Sequence, residues 1–506
     1  MYTYYRYLLL LPLAVGLRTL EPPPPVPASR DGSNDTVTEG FIYVRLNQFA
    51  ATNTDVFPMR YYYNSRHARS TNIVIFIGGE WRISEGWMRG GLAYELAARE
   101  SAALFYTEHR YYGDTRPTNT TSPEELKYLS VDQALADLAQ FIQTVQSDSF
   151  ENGWYRGGKV ALVGCSYAGS MGTWMRLAYP HLVDAVFSDS GPLHAQEDFP
   201  EYLEVIAEAL RVQGGETCLS TVQEAMVDLV ALLGTPDGPA TVSEQFNTCS
   251  SLQGATALDL ATFFWYGITE TFAYLVQYAT PGDISNACTA LQNTQISTNP
   301  VTRLAAWISA QPSTQPCIEA EYRVQLALHT NTSYDAPQAT MRVWLYQTCV
   351  EYGWYQSTTS PRQPFLSTVP LEYFHQMCKD FISEYFDEDL LRSGIQRTNL
   401  LFAGLDFLPD RVISVVGGHD PWSPMGPKAT HSRHLAPVYV VPEISHCRAI
   451  QSTENSDSEA LAQVQHDVLN KMSEWLTDRE DDMISSAHAV TASIIVGFAA
   501  IVALFA

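Results

Sequence analysis

The chain has 506 residues, of which 46% are hydrophobic and 17% are charged, a composition that excludes a disordered protein and is typical of a globular one. Its formal net charge of −25 argues against nucleic acid and anionic membrane surfaces as partners. A chain of this length can bury a large core in one large domain or two smaller ones.

The N-terminal residues are typical of a secretory signal peptide. Arg6 precedes an apolar run from Leu8 to Gly16 that is too short to span a bilayer. We therefore expect a signal peptide over residues 1–20, although no Ala-x-Ala cleavage site follows it. The prolines from 22 to 25 begin a stiff polar segment, and residues 21–40 are interpreted as a linker.

The first half of the chain alternates between predicted strands and helices. Short β-branched runs occur at 73–77, 102–107, 160–163 and 183–188. The clearest helical pattern lies at 130–146, where the following apolar residues share one face: Leu135, Leu138, Phe141, Ile142 and Val145. Strands that alternate with helices predict a parallel α/β sheet.

The strand at 160–163 leads directly into GCSYAG at 164–169, and two interpretations compete there. Turns commonly collect serine and glycine without any chemical role. Alternatively, the turn is a nucleophile elbow that lifts the hydroxyl of Ser166 above the sheet. The match to G-x-S-x-G is loose, because Ala168 stands where the second glycine is usual and Gly169 follows one place later.

A nucleophilic serine also needs N–H donors for the oxyanion that develops on the substrate. One candidate donor is the backbone of Tyr167, directly after Ser166. The other is the backbone of Gly79, in the glycine pair that follows the strand at 73–77. The alternative for that pair is a plain turn at the end of a strand.

Residues 198–395 form a mostly helical insertion. Helical spacing occupies 202–232 and 257–279, and six of the eight cysteines lie between 218 and 378. No C-x-x-C pair occurs, so we expect disulfides and no zinc site. The six cysteines pair most simply as Cys218–Cys288, Cys249–Cys317 and Cys349–Cys378.

The α/β pattern then returns, with predicted strands at 411–416 and 438–441 and a helix at 458–476. Asp420 lies in the glycine-rich turn after the first of these strands, and His446 lies just beyond the second. Together with Ser166 they follow the order Ser, Asp, His expected of a nucleophile, an orienting acid and a base. Taken singly, the aspartate is typical of an Asx turn and the histidine of a polar surface. His419 precedes the acid and follows no strand, so it is not chosen as the base.

The remaining cysteines, Cys165 and Cys447, directly flank Ser166 and His446. They are either buried free thiols or a disulfide that pins the histidine loop to the elbow. We favour free thiols, because residues that flank a catalytic pair often point away from each other. A bridge also requires Cα atoms within about 7 Å.

The C-terminal residues are typical of an anchor signal. An uncharged apolar run ends the chain, and small residues precede it at Ser485, Ser486 and Ala487. We expect a glycolipid-anchor signal over 485–506, with a short tail-anchoring helix as the alternative. N-x-S/T sequons predict glycans at three sites: Asn34, Asn119 and Asn331.

Four longer motifs carry a family resemblance: EHRYYGDTRP (108–117), GCSYAG (164–169), QTCVEYGWYQ (347–356) and GGHDPWS (417–423). From about residue 41 to 478 the chain resembles the serine exopeptidase family of lysosomal Pro-X carboxypeptidase, dipeptidyl peptidase 2 and thymus-specific serine protease. The resemblance implies an α/β-hydrolase fold in two parts, 41–197 and 396–480, with a helical cap at 198–395. It also implies a triad of Ser166, Asp420 and His446.

Residues and resemblance together favour a secreted or surface-tethered serine exopeptidase that acts near proline. We expect peptide substrates, no metal or cofactor, and a location in the secretory pathway that is extracellular, at the cell surface or lysosomal. A homodimer stays open, as does the choice between carboxypeptidase and dipeptidyl peptidase. The competing functions are an esterase or lipase of the same fold and a catalytically silent surface adhesion protein.

Three further residues are candidates for substrate binding. Trp422 is either the floor of an apolar pocket for a proline ring or a core aromatic. Ser170 stands where prolyl-specific members of the family have methionine, a detail more similar to the thymus-specific branch. Glu80 is a candidate to receive a substrate amine, although a solvated loop glutamate is the favoured alternative.

Overall fold

The computed structural model describes residue 22 and residues 37–312, 316–454 and 456–477. These residues form ten strands: β1 (Val37–Arg45), β2 (Val56–Asn64), β3 (Ile73–Ile77), β4 (Ala103–Thr107), β5 (Val160–Cys165), β6 (Ala185–Asp189), β7 (Gln196–Asp198), β8 (Gly353–Tyr355), β9 (Val412–Gly417) and β10 (Val438–Val441). The signal peptide, most of the linker, Asn34 and the C-terminal anchor signal lie outside the described residues.

Eight of the strands form one mixed sheet in the order β1-β2-β4-β3-β5-β6-β9-β10. β2 runs antiparallel to both of its neighbours, and every pair from β4 to β10 is parallel. The parallel strands β3, β4, β5, β6 and β9 are buried along their whole length, because helices cover both faces of the sheet. This order, with one antiparallel strand next to the edge, is the expected α/β-hydrolase fold.

Sixteen α-helices accompany these strands in the described residues. The hydrolase domain contains α1 (Leu92–Arg99), α2 (Pro123–Leu126), α3 (Val131–Val145), α4 (Tyr167–Ala178) and, after the cap, α16 (Glu459–Thr477). The cap contains α5 (Glu201–Gly214), α6 (Glu216–Leu233), α7 (Gly238–Gln245), α8 (Ala257–Thr262), α9 (Glu270–Gln277), α10 (Asp283–Leu291), α11 (Pro300–Ser309), α12 (Tyr322–His329), α13 (Ala339–Gln347), α14 (Leu371–Met377) and α15 (Glu388–Phe402).

The cap also contains three π-helical stretches and a two-stranded sheet. The π-helical stretches are Phe263–Thr269, Thr348–Tyr352 and Cys378–Ile382. The small sheet pairs β7 with β8 in parallel, at the point where the chain enters the cap. Short 3-10 helices at Glu85–Met88, Glu151–Gly153, Ser423–Met425 and Ala429–His431 lie in loops of the hydrolase domain.

Two elements of the structure cross the segment boundaries expected from the sequence. β1 begins at Val37, inside the segment interpreted as a linker. α15 extends from the cap past residue 395 and ends at Phe402. Within the described residues, no helix combines the length and the apolar character needed to cross a membrane.

Four disulfides join the eight cysteines. Three of them lie in the cap and have the expected pairing, Cys218–Cys288, Cys249–Cys317 and Cys349–Cys378. The fourth joins Cys165 to Cys447, whose Cα atoms are 5.6 Å apart. The prediction that these two cysteines are free thiols is therefore wrong.

Candidate active site

Ser166 occupies a strained turn between β5 and α4. Its φ of 56° and ψ of −135° lie outside the regions that non-glycine residues prefer. A Cβ at Gly164 would lie 2.3 Å from the carbonyl oxygen of Ala168, so this position requires glycine. Gly169 is equally constrained, because its Cβ would meet the Ser188 hydroxyl at 2.9 Å. The turn therefore places its second essential glycine three residues after the serine, which explains why Ala168 is tolerated.

Asp420 and His446 form a buried pair at the carboxyl edge of the sheet. The Nδ1–H of His446 donates to Oδ1 of Asp420 at 2.8 Å, and both side chains are almost fully inaccessible to solvent. The backbone N–H of Trp422 donates to the same carboxylate oxygen at 2.9 Å, which fixes its orientation. Nε2 of His446 has no hydrogen-bond partner within the described residues and is left for a reacting group.

Three carboxylates determine the ionisation of His446. Burial disfavours the charged imidazole, but the charge and hydrogen bond of Asp420 and the charges of Asp189 and Glu80 together outweigh it. The pKa of His446 is raised as a result. The buried His419, in contrast, has a pKa lowered by burial, and the hydrogen bond to Asp420 belongs to His446.

The unexpected disulfide lies beside the imidazole. The sulfur atoms of Cys165 and Cys447 and a ring nitrogen of His446 all lie within 4.8 Å of one another. Neighbouring side chains point to opposite sides only in extended backbone. Cys447 has a φ of 59° and Ser166 one of 56°, so this alternation is broken at both positions and the two cysteines can meet. The bridge joins the elbow to the histidine loop; since its sulfurs are bonded to each other, they are not free to bind a metal.

The cap also holds His446 in place. The backbone N–H of His446 donates to the carbonyl oxygen of Gln277 at 3.0 Å, at the end of α9. The side-chain oxygen of Gln277 accepts hydrogen bonds from the Tyr202 hydroxyl at 2.6 Å and from Nε1 of Trp422 at 3.2 Å. Gln277 therefore connects two cap helices to both loops of the Asp420–His446 pair.

Trp422 belongs to an aromatic cluster next to the imidazole. Its ring centroid lies 5.6 Å from those of Tyr202 and Trp354, 5.7 Å from that of Phe199 and 6.3 Å from that of His446. The indole is only partly buried. Trp422 therefore packs in an aromatic core and still offers surface beside the candidate base; its role as the floor of a pocket for proline stays a prediction.

The loop after β3 places Glu80 near the same centre. Glu80 is 6% exposed, so the favoured interpretation as a solvated glutamate is wrong. Burial raises the pKa of its carboxyl group to about 7, against the opposing influence of its own backbone N–H and of His446. Before it, a Cβ at Gly79 would lie 2.7 Å from the ring of Trp81, so the loop can adopt this path only with glycine there.

Ser170 has a different role from the one expected. It is completely buried, and its hydroxyl donates to the carbonyl oxygen of Pro192 at 2.6 Å. This hydrogen bond ties α4 to the segment after β6. The hydroxyl is thus used inside the protein, which argues against direct contact with a substrate.

Asp189 is a buried acid that the sequence analysis missed. It ends β6, where it accepts hydrogen bonds from the N–H of Ile450 at 2.9 Å and from the hydroxyl of Ser190 at 3.3 Å. Burial raises its pKa to about 7. The Ser190 hydroxyl in turn accepts from the N–H of Cys447, so this acid supports the histidine loop. Its position at the carboxyl end of a strand was the available signal.

Side chains of the EHRYYG motif support the turn that carries Ser166. Arg110 and Asp137 form a buried, bidentate ion pair with two contacts of 2.6 Å. His109 donates through Nδ1 to a backbone carbonyl, which leaves Nε2 to accept from the Tyr167 hydroxyl at 3.1 Å. Gln347 of the cap donates to the same hydroxyl at 3.1 Å. Tyr167, whose backbone N–H is the candidate oxyanion donor, is thereby held from two sides.

The two sequons within the described residues are accessible. Asn119 and Asn331 are both exposed. Their segments adjoin, since the N–H of Thr121 donates to the carbonyl oxygen of Thr332 at 2.8 Å. Glycans at these positions would project from one region of the surface.

Comparison with known proteins agrees with this architecture. The family described as Serine carboxypeptidase S28 matches residues 44–468. The thymus-specific serine protease of Mus musculus is 28% identical over 87% of this chain and 88% of its own length. The lysosomal Pro-X carboxypeptidase of the same species is 22% identical over 75% of this chain and 77% of its own.

Among solved structures, the peroxisomal alpha-beta-hydrolase Lpx1 from Saccharomyces cerevisiae aligns with 91% of this chain and 98% of its own, at 10% identity and a TM-score of 0.35. That likeness is too distant to bear on the site, whereas the family match covers most of the hydrolase domain and the whole cap. The protein therefore belongs to the serine carboxypeptidase S28 family.

Proposed function

We propose that the protein is a serine exopeptidase that hydrolyses peptides next to proline through a triad of Ser166, Asp420 and His446. The observation that carries the proposal is the buried 2.8 Å hydrogen bond between Asp420 and His446, in a loop that a disulfide ties to the residue before Ser166. An unassisted serine hydroxyl is a poor nucleophile near neutral pH. A base held in one tautomer by a buried acid supplies the missing activation.

The mechanism follows from these positions. Ser166 attacks the scissile carbonyl while Nε2 of His446 takes its proton, and Asp420 stabilises the imidazolium that forms. The backbone N–H groups of Tyr167 and Gly79 receive the oxyanion. His446 then returns the proton to the leaving amine, and water repeats the sequence to release the acyl group from Ser166.

Proline preference and location are parts of the same proposal. The partly exposed indole of Trp422, backed by aromatic side chains of the cap, supports an apolar pocket for a proline ring. The four disulfides support an oxidising compartment, so we place the protein in the secretory pathway. A C-terminal glycolipid anchor and glycans at Asn34, Asn119 and Asn331 belong with that location.

The test is the purified Ser166→Ala variant, assayed with proline-containing peptides. We expect kcat/KM to fall by about a thousandfold or more, with little change in melting temperature, because the hydroxyl serves chemistry and not packing. His446→Ala should cause a similar loss, and His419→Ala, the control, should not. Retention of most activity by Ser166→Ala would contradict the assignment.

Two other results would favour the competing functions. Efficient cleavage of simple esters with no cleavage of peptides would favour an esterase. Failure of a fluorophosphonate to label the wild-type protein would favour a catalytically silent adhesion protein.

A further inference from the structure

Glu80 has a buried carboxylate oxygen without a partner. The side chain is 6% exposed, and its Oε2 makes no hydrogen bond within the described residues. Leaving a carboxylate buried and unpaired is costly, and such groups are normally matched by a cation or by several donors. The site is therefore incomplete in the free protein.

The surroundings of Glu80 belong to the candidate catalytic centre. Its charge acts on the imidazole of His446 and on the phenol groups of Tyr112 and Tyr167. The Tyr112 hydroxyl is already used, since it donates to Gln347 at 2.7 Å. Glu80 directly follows Gly79, the candidate oxyanion donor, in the loop after β3, and β3 pairs in parallel with β5, the strand that ends at the elbow. The carboxyl ends of both strands lie at one edge of the sheet, so Glu80 and Ser166 lie at the same edge.

The electrostatic potential in this region favours a positively charged ligand. Asp420 and Asp189 act on His446 alongside Glu80, and the charges of all three acids favour a positively charged imidazole. The guanidinium groups of the neighbouring β2 and β4 segments are paired elsewhere: Arg60 contacts Glu108 and Asp114, and Arg110 contacts Asp137. A free C-terminal carboxylate would meet the three acids around His446, whereas an ammonium group would find a counter-ion among them.

We propose that Glu80 binds the α-ammonium group of the substrate, so that the enzyme removes residues from the amino terminus of peptides and not from the carboxyl terminus. This inference rests on the proposed serine peptidase function and chooses between the two kinds of exopeptidase that the sequence left open. The ammonium group would donate to the unpartnered Oε2, which completes the buried site only when a substrate with a free amino terminus is bound.

The first experiment uses the wild-type protein and four versions of one proline-containing peptide, with the amino terminus free or acetylated and the carboxyl terminus free or amidated. We expect acetylation to lower kcat/KM on the order of 100-fold, as for the loss of one partner of a buried charge pair, and amidation to have little effect. The opposite pattern, in which amidation abolishes cleavage and acetylation is tolerated, would overturn the inference. Cleavage of all four at similar rates would overturn it too.

The second experiment assigns the effect to Glu80. Glu80→Gln should bring kcat/KM for the free-amine peptides down to the level of the acetylated ones, while the rate of fluorophosphonate labelling stays within a few-fold of wild type. Glu80→Asp, which keeps the charge, should recover part of the loss. The control is Glu85→Gln, a change to an exposed acid of the same loop that pairs with Arg89, and it should leave the preference unchanged.

The outcomes separate this inference from the proposed function. Normal labelling with an unchanged preference in Glu80→Gln would overturn the role of Glu80 and leave the serine peptidase intact. An equal loss of labelling and of all peptide cleavage in that variant would also overturn it, because Glu80 would then support the catalytic centre itself. A wild-type protein that neither labels nor cleaves any peptide would refute the proposed function, and the inference with it.

Discussion

The charge state of His446 is fixed by the acids around it, and this has a measurable consequence. A general base must be neutral to accept a proton, and the acids raise the pKa of His446 above that of an ordinary histidine. As pH falls through this raised pKa, the imidazole is protonated and activity is lost. The acidic limb of the kcat/KM profile should therefore lie above about 6.5, the usual histidine value.

Asp420→Asn tests this origin of the limb. Removing the nearest negative charge should move the limb to lower pH, and it should reduce kcat by about 10⁴-fold because the imidazole loses its orienting partner. Asp335→Asn, which alters an exposed ion pair with Arg116, is the control and should leave the profile unchanged. A limb at the same pH in wild type and Asp420→Asn would show that another group controls it.

Single residues also mark the limit of what the sequence could predict. Ser166, Asp420 and His446 could be chosen as candidates because each follows a recognisable strand, and parallel strands present their carboxyl ends at one edge. The disulfide between Cys165 and Cys447 could not be predicted in this way, because it depends on positive φ angles at the turn residues, which composition does not reveal. The burial of Glu80 was missed for a similar reason, since a charged residue after two glycines is typical of an exposed loop.

At the level of elements, most of the strands found from the sequence are buried along their whole length, and β10, which has mixed burial, is the exception. β3, β5 and β9 are buried on both faces and consist largely of β-branched and other apolar residues, so they were predicted close to their true bounds. β1 alternates in burial although its residues 41–44 are all apolar, and it exposes Phe41 and Tyr43. β2 contains a proline, a residue that argues against a strand when only the sequence is considered. The proline is tolerated here because it lies at an exposed position of the strand.

The contact between α9 and the histidine loop gives a prediction for the cap. Gln277→Ala removes the acceptor shared by Tyr202 and Trp422 but keeps the backbone carbonyl that binds His446. The variant also loses the hydrogen bond that Nε2 of Gln277 donates to the Tyr278 hydroxyl at 2.9 Å. Three hydrogen bonds of about 1 kcal/mol each correspond to a loss on the order of 100-fold in kcat/KM for proline-containing peptides. Tyr202→Phe removes only one of the three and should cost less. If Tyr202→Phe is as impaired as Gln277→Ala, the indole of Trp422 does not depend on this contact.

On the scale of the whole molecule, the candidate site is assembled from two distant parts of the chain. Ser166 comes before the cap, whereas Asp420 and His446 come after it. Interactions across the cap hold the parts together: Glu351 accepts from the N–H of Val131 at 3.0 Å, and Gln347 donates to Tyr167. The long insertion is therefore part of the framework that positions the candidate nucleophile and the candidate base, in addition to covering them.

The Cys165–Cys447 bridge is the covalent element of that framework, and it closes a separation of 282 residues. Its removal in the double variant Cys165→Ala/Cys447→Ala should lower stability by about 2–5 kcal/mol, since the unfolded chain gains freedom. We also expect kcat to fall at temperatures far below the melting transition, because the histidine loop would then be held by non-covalent contacts alone, among them its hydrogen bonds to Gln277, Ser190 and Asp189. Thermal denaturation and peptide kinetics on the same samples separate the two effects.

The matched control is removal of the cap bridge Cys349–Cys378, which closes only 29 residues. That variant should also melt earlier, but its kcat in the folded range should stay close to wild type, because the bridge does not touch the elbow or the histidine loop. Equal values of kcat for wild type and Cys165→Ala/Cys447→Ala would show that non-covalent contacts alone position His446. A loss of kcat confined to the elbow bridge would instead show that these two cysteines, one on each side of the inserted cap, act on catalysis as well as on stability.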